Sequence, residues 1–132
     1  MFIILFCKKI QRNNEKTCER DTVTDKVIVL STCASSEEAG KLARALVEKR
    51  LAACVNVLPG VRSIYRWKDA IEEDEEILLV IKTSRALVEE LRAEIERLHS
   101  YEVPEVIALP IVDGSERYLA WMTRELAHKP SL

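Results

Sequence analysis

One run of apolar residues, Ile77-Leu78-Leu79-Val80-Ile81, constrains the fold of this chain more than any other segment. Successive side chains of a β-strand point to opposite faces of the sheet, so a strand of this composition needs apolar cover on both faces. The chain has too few helical segments to cover both faces of a sheet by itself. We therefore expect other copies of the same chain to cover the second face.

A long alternating segment precedes this run and predicts the first leg of a β-hairpin. Apolar and aromatic residues share one parity (Val55, Val57, Val61, Tyr65, Trp67), and polar residues share the other (Asn56, Arg62, Arg66, Lys68). Pro59-Gly60 in the middle predicts a bulge or a bend. The segment is too long for a compact domain, so its far end is expected to project as an arm. The arm should turn near Asp69-Ala70 and return through the acidic residues 72–76, which we interpret as a solvated turn.

The remaining segments predict two more strands and three helices. Apolar runs at 27–30 and 106–109 indicate the first and last strands. Helices are expected after Ser35, where Glu38 completes a capping box, after Ser84 with an end at residues 101–104, and after Gly114-Ser115. The order of elements predicts an α+β fold of the ferredoxin-like, split βαβ type (βαββαβ plus a C-terminal helix). Its four-stranded antiparallel sheet should carry the first two helices on one face.

Length and composition predict one folded domain, at residues 26–127, in a chain of 132 residues. Residues 1–25 are expected to form a poorly ordered N-terminal extension, and residues 128–132 a C-terminal tail. The apolar residues 1–6 are followed rather than preceded by Lys8-Lys9, which is not the pattern of a secretory signal, and they are too few to span a membrane. We therefore expect a cytoplasmic protein that does not bind membranes.

Charge and cysteine usage exclude several classes of function. A formal net charge of -2 and a pI near 5.8 argue against a partner made of nucleic acid, which requires clustered positive charge. The four cysteines, Cys7, Cys18, Cys33 and Cys54, lack C-x-x-C spacing and are expected to be thiols in a reducing cytosol. Cys33 and Cys54 lie in strand-like segments, where packing as small hydrophobic residues is the expected role and a ligand role the alternative.

Several segments, in matching order over residues 26–126, resemble the CutA (divalent-cation tolerance protein) family. They are Arg50-Leu51-Ala52-Ala53-Cys54-Val55-Asn56, Pro59-Gly60 with Ser63-Ile64-Tyr65-Arg66-Trp67, Glu73-Asp74-Glu75-Glu76 before the strand ending in Lys82-Thr83, His99-Ser100-Tyr101 with Val103-Pro104-Glu105, and Tyr118-Leu119 with Trp121. The resemblance implies a homotrimer of ferredoxin-like subunits, similar to PII signalling proteins. It also implies a connection with tolerance to copper and other divalent metals, and no established reaction.

The resemblance also implies where a metal would bind. The family's copper ligands, a cysteine in the first strand and two histidines after the second helix, fall on Ser31, Leu98 and His99 here, and only His99 has a ligand side chain. Cys33 lies two residues from Ser31 on the same face of the strand, so it is the candidate replacement. A site for copper or another divalent cation at Cys33 and His99 is therefore the metal hypothesis. The interpretation that we favour from the sequence is that His99 packs or caps at the end of its helix.

A second candidate site consists of Tyr65, Trp67, Lys82, Tyr101 and Glu105. Residues of the arm in one copy are expected near residues 101–105 of another, which would form a cleft with aromatic walls and a Lys-Glu pair. Such a cleft suits a small anionic or metal-chelated ligand. The alternative is that the aromatic residues anchor a subunit interface and that Lys82 and Glu105 form an ion pair within it.

Motifs of catalysis are lacking in the sequence. There is no G-x-S-x-G and no phosphate-binding glycine loop, and the chain contains only three glycines. We expect a binding or signalling scaffold for divalent metal tolerance and not an enzyme. The alternatives are an enzyme whose active site forms at subunit clefts and a purely structural partner-binding module. The many Glu, Arg and Lys residues at 89–97 also suit a thermostable protein with ion-pair networks.

Overall fold

The computed structural model describes residues 24–128. The elements are β1 (Lys26–Cys33), α1 (Ser36–Glu48), β2 (Cys54–Trp67), β3 (Ala70–Ser84), a 3-10 turn (Arg85–Leu87), α2 (Val88–Leu98), β4 (Ile107–Pro110) and α3 (Glu116–Glu125). This order confirms the predicted α+β fold. The extension predicted at residues 1–25 lies outside the described residues except for Thr24 and Asp25, and so does the tail after His128. Both stay predictions.

The sheet is four-stranded, and its order is β2-β3-β1-β4. All three strand pairs are antiparallel. The first and last strands therefore lie next to each other although they are far apart in the chain, as the split βαβ arrangement requires. No helix within residues 24–128 is long and apolar enough to cross a membrane.

One face of the sheet packs on the helices and forms the core. Alternate residues of β1 and β3 on this face are fully buried, among them Val29, Cys33, Leu79 and Ile81. The helices contribute the apolar stripes that their spacing predicts, with Leu42 and Leu46 from α1 and Leu91 and Ile95 from α2. The core is therefore a two-layer arrangement of helices on one side of the sheet.

The other face of the sheet, which we call the open face, is apolar as well. Its central residues pair across three strands: Leu30 of β1 lies opposite Val80 of β3 on one side and Ile107 of β4 on the other. Ile28 lies opposite Leu109. Ile107 is 49% exposed and Leu109 is 46% exposed in the single chain. The sequence-based expectation of a sheet with two apolar faces is thus confirmed.

The hairpin of β2 and β3 projects as the arm (residues 61–76), and a bulge marks its base. The pairing register shifts between Leu58 and Val61, and Gly60 there has a φ of 79°. The predicted bulge is present, and because it exchanges the faces, the shared parity of the apolar residues at 55–67 does not correspond to one face of the sheet. Val57 lies opposite Leu79 on the helix-covered face, whereas Val61 lies opposite Glu76 on the other parity of β3.

The helix ends differ from their predictions at three places. Ser35 caps α1 by accepting a hydrogen bond from the amide of Glu38 over 3.2 Å, as predicted. The Glu38 carboxylate does not complete the capping box and instead lies 3.4 Å from His99. Helix α2 begins only after a 3-10 turn that follows Ser84 and ends at Leu98, earlier than predicted. His99 is consequently the C-cap and points into the protein.

Candidate metal centre and adjoining pocket

Three side chains with metal-ligand atoms meet at the end of β1. Cys33 is the last residue of β1, Glu38 lies in the first turn of α1, and His99 is the C-cap of α2. Their ligand atoms lie within 4.8 Å of one another. Cys33 Sγ is 3.8 Å from His99 Nε2, and Glu38 Oε1 is 3.4 Å from His99 Nδ1. We call these three residues the metal cluster.

The local structure explains why these residues converge. Cys33 has the parity of Val29 and therefore faces the helices. Glu38 precedes the buried Leu42 by four residues, so both lie on the same side of α1. The amide of His99 still bonds to the α2 carbonyl of Ile95 over 2.9 Å, which fixes the direction in which the imidazole leaves the helix.

The imidazole of His99 is fully buried, and both of its nitrogens have partners. Nδ1 accepts a hydrogen bond of 3.0 Å from the backbone amide of Tyr101. Nε2 lies 2.7 Å from the backbone oxygen of Thr32, which can only accept, so we assign the proton to Nε2. His99 therefore joins the turn after α2 to the end of β1. This is the packing role that the sequence left open beside metal ligation.

The protonation state of the cluster favours a neutral thiol in the absence of a cation. Burial, together with the negative charges of Glu38 and Glu76, raises the pKa of Cys33 to about 11. Within residues 24–128, Glu38 Oε1 is buried and has no hydrogen-bond partner. A bound cation would satisfy this oxygen and stabilise the Cys33 thiolate. The sulfur, nitrogen and oxygen donors suit copper or zinc, so the residues fit the metal that the sequence predicts.

A cavity of about 430 Å³ lies beside the metal cluster, and we call it the aromatic pocket. It is lined by Thr32, Tyr65, Trp67, Glu76, Ser100, Tyr101, Glu102, Val103 and Glu105. The Tyr101 hydroxyl donates a hydrogen bond of 2.8 Å to Glu76, and burial together with this bond raises the pKa of Tyr101. On the arm, a hydrogen bond to Asp74 raises the pKa of Tyr65 to about 12. Both tyrosines therefore remain neutral donors.

Four of the five predicted cleft residues line this pocket within a single chain, namely Tyr65, Trp67, Tyr101 and Glu105. The sequence instead predicts that the arm of one copy meets residues 101–105 of another. Lys82 does not line it in the single chain. Its Nζ lies 3.3 Å from the Tyr118 hydroxyl and 5.5 Å from the centre of the Tyr118 ring. The pocket lining contains three carboxylates and no Lys, Arg or His, so within one chain it favours a positively charged group.

Sequence reasoning missed Glu38 and Glu76 as site residues. The spacing of Glu38 from Leu42 was an available signal, because it places the carboxylate on the buried side of α1. Glu76 was interpreted as part of a solvated acidic turn, and this is wrong for Glu76, which is only 8% exposed. Of the other two family ligand positions, Ser31 is buried and its hydroxyl has no hydrogen-bond partner among residues 24–128, and Leu98 is partly exposed.

Comparison with protein families gives one match over most of the chain. A family model described as CutA1 divalent ion tolerance protein matches residues 27–125. The chain is 50% identical over 95 residues to the divalent-cation tolerance protein CutA of Thermus thermophilus, and the match covers 72% of this chain and 92% of that protein. It is 53% identical over 91 residues to the mouse protein CutA, of which it spans only 51%.

Solved structures agree with this match. The structure of the divalent cation tolerance protein (Cut A1) of Thermus thermophilus superposes with a TM-score of 0.76 at 46% identity, covering 77% of this chain and 99% of that one. The structure of a protein described as the periplasmic divalent cation tolerance protein CutA of Archaeoglobus fulgidus gives a TM-score of 0.74 at 36% identity. That match covers 76% of this chain and 97% of that one.

Proposed function

Because this chain belongs to the CutA1 divalent ion tolerance family, we propose that it acts in metal tolerance by binding a divalent cation at Cys33, Glu38 and His99. The observation that carries this proposal is the buried oxygen Glu38 Oε1, which has no hydrogen-bond partner in the described part of the chain and lies beside an imidazole and a thiol. A carboxylate oxygen in that position is costly without a cation. Copper is the proposed ion, with zinc as the alternative, because both accept thiolate and imidazole ligands.

Titration calorimetry with Cu²⁺ and with Zn²⁺ tests the metal site. We expect Cys33→Ala and His99→Ala each to weaken binding by more than about 100-fold, because loss of a group that only supports a ligand already costs about 10- to 100-fold. Cys54→Ala is the matched control, because Cys54 is also a free thiol on a strand but lies outside the metal cluster. Equal affinity in all of these variants would place the bound metal elsewhere and overturn the proposal.

We further propose that the chain works as a homotrimer in which the open face is covered by the other copies. The apolar residues of that face, including Leu30, Val80 and Ile107, are the support for this proposal. Lys82 lies opposite Ile28, on the same parity of β3 as Val80. We propose that the copy covering this face presents its acidic pocket to Lys82. The predicted pair of Lys82 and Glu105 would then form between two subunits.

Sedimentation velocity tests the assembly. We expect a trimer for the wild type and monomers for the double variant Ile107→Lys with Leu109→Lys, because two buried ammonium groups would oppose the interface. Val47→Lys is the control, since Val47 is similarly exposed, at 42%, but lies on α1. A folded wild-type monomer at micromolar concentration would overturn this part of the proposal.

The proposed role is a binding or signalling scaffold without catalysis. Cys33 and His99 lie side by side, as a cysteine and a histidine do in thiol enzymes. Burial raises the pKa of the Cys33 thiol, and both imidazole nitrogens already have hydrogen-bond partners. Both observations argue against Cys33 as a nucleophile. The aromatic pocket favours one rival function, an enzyme that acts at subunit clefts. Loss of turnover in Lys82→Ala and Glu105→Ala with an intact trimer would support that rival.

We propose the cytoplasm as the location, as the sequence predicts. Cys33 and Cys54 are both free thiols, which suits a reducing compartment. The Archaeoglobus fulgidus relative is described as periplasmic, so the two compartments are the alternatives. Fractionation of cells that express the full chain separates them, and recovery in the periplasmic fraction would contradict the proposal.

A further inference from the structure

His99 holds two walls of the aromatic pocket through its two ring nitrogens. Nδ1 accepts from the amide of Tyr101 over 3.0 Å, and Nε2 donates to the backbone oxygen of Thr32 over 2.7 Å. Thr32 and Tyr101 both line the pocket. The Tyr101 ring also contacts the imidazole, with the ring centres 4.7 Å apart. The residue that would bind metal is therefore also the residue that positions the pocket.

The protons of a neutral imidazole determine what happens when it binds a metal. Such a ring has one N–H donor and one lone pair, and a metal requires a lone pair. If Nδ1 binds the metal, the amide of Tyr101 loses its acceptor at once. If Nε2 binds the metal, the ring proton must move to Nδ1, where it would meet the Tyr101 amide. Two donors cannot form a hydrogen bond, so this contact is lost as well.

The second case also gives a role to Glu38 Oε1, the carboxylate oxygen that has no hydrogen-bond partner within residues 24–128. With Nε2 and Cys33 Sγ as ligands, the proton on Nδ1 would find an acceptor in Glu38 Oε1, which is 3.4 Å away. A carboxylate that accepts from the second nitrogen of a ligating histidine is a common support of metal sites. Both cases therefore end with the same change, which is the loss of the bond between Tyr101 and His99.

We propose that metal binding at Cys33 and His99, with Glu38 either as a third ligand or as the acceptor of the imidazole proton, reshapes the aromatic pocket by releasing the backbone of Tyr101 from His99. This inference rests on the proposed metal-binding function and assigns its regulation. A ligand that holds Tyr101 in its metal-free position should weaken metal binding. By thermodynamic linkage, metal must weaken the binding of that ligand by the same factor. The protein would thus report the presence of metal as a change in its binding surface.

Hydrogen exchange of the full chain with and without Zn²⁺ tests the coupling. We expect the Tyr101 amide to exchange about tenfold faster with saturating zinc, because an amide without its acceptor loses protection. The His99 amide, which bonds to Ile95 within α2, is the internal control and should not change. Trp67 gives a second readout in Trp121→Phe, which leaves it as the chain's one tryptophan, and its fluorescence should shift with zinc.

The outcomes separate this inference from the proposed function. Zinc binding that depends on Cys33 and His99, with no change at Tyr101 or Trp67, would overturn the coupling and leave the metal site standing. The absence of saturable binding of both Zn²⁺ and Cu²⁺ would overturn the coupling and the metal site together. A response at Tyr101 that is as large in Cys33→Ala as in the wild type would assign it to zinc elsewhere, which also overturns the coupling. Cys54→Ala should respond like the wild type.

Discussion

Tyr101 donates a hydrogen bond of 2.8 Å from its hydroxyl to the carboxylate of Glu76. The two residues belong to different parts of the fold, since Tyr101 follows α2 and Glu76 lies in β3 at the base of the arm. Both side chains line the aromatic pocket. This bond therefore ties the turn after α2 to the arm and closes one side of the pocket.

Replacing Tyr101 with Phe should destabilise the protein by about 2 kcal/mol, because the buried Glu76 carboxylate would lose a hydrogen bond. Urea unfolding at a fixed protein concentration measures the change. Tyr65→Phe is the matched control, since it removes a hydroxyl that donates to Asp74 on the exposed arm. There we expect a clearly smaller loss, because solvent screens this hydrogen bond. Equal losses of unfolding free energy in the two variants would show that the burial of Glu76 does not strengthen its hydrogen bond with Tyr101.

The order of the elements was predictable from the sequence because it depends on local periodicity. The apolar run at 77–81 and the amphipathic helices each identify themselves without reference to the rest of the chain. The exchange of faces at the bulge was not predictable, since it depends on how many residues the bulge inserts relative to β3. Pro59-Gly60 indicates that a bulge exists, but only the pairing of Val61 with Glu76 shows its size.

The candidate site was predictable in part. Cys33 follows from strand parity and His99 from the family resemblance, and the structure brings them to within 3.8 Å. Glu38 was missed as a ligand because its place in a capping box already accounted for a carboxylate at that position, and no local pattern shows that the side chain is buried beside His99. Glu76 was missed because neighbouring acidic residues in a turn are usually solvated. Tertiary contact with Tyr101, which no local pattern reveals, decides its burial.

Gly60→Ala should destabilise the protein by about 1 kcal/mol, because Gly60 has a φ of 79°, which side chains disfavour. An added Cβ would have open space around it, so the cost comes from the backbone alone. Gly40→Ala is the control, since Gly40 lies in α1 and also has open space. It should stabilise by about 0.5 to 1 kcal/mol through helix propensity. Changes of the same sign in both variants would contradict this account of the bulge.

Thr83→Val should destabilise the protein by about 1 to 2 kcal/mol while preserving the side-chain shape. The fully buried Thr83 hydroxyl donates a hydrogen bond of 2.6 Å to the backbone oxygen of Leu51, which would be left without it. In Thr123→Val, the lost hydroxyl donates to Leu119 within α3 at an exposed position, so a change below about 0.5 kcal/mol is expected. Thermal or urea unfolding compares the pair, and a larger loss for Thr123→Val would contradict the prediction.

An ion pair between the helices predicts how stability depends on pH. Glu94 of α2 contacts Lys49 at the end of α1 and Arg97 of its own helix, each over 2.6 Å. The hydrogen bonds from Arg97 and Lys49 lower the pKa of Glu94 to about 2 from its usual 4.5. The unfolded chain therefore takes up this proton at a higher pH than the folded chain, so the contribution of Glu94 is fully present above pH 4.5 and is lost as the pH falls to about 2.

Glu94→Gln should accordingly cost about 1 kcal/mol at pH 7, a value kept small because the basic partners are solvent-exposed. The difference from the wild type should shrink as the pH falls below about 4.5 and vanish only below about pH 2, where the carboxylate of the folded wild type becomes protonated as well. Unfolding at several pH values measures this difference. Glu37→Gln removes an exposed pair with Lys41 on α1, so it is the control for loss of a surface ion pair and should cost less than Glu94→Gln at pH 7. A Glu94→Gln difference that stays constant down to pH 2 would mean that Glu94 acts through packing and not through its charge.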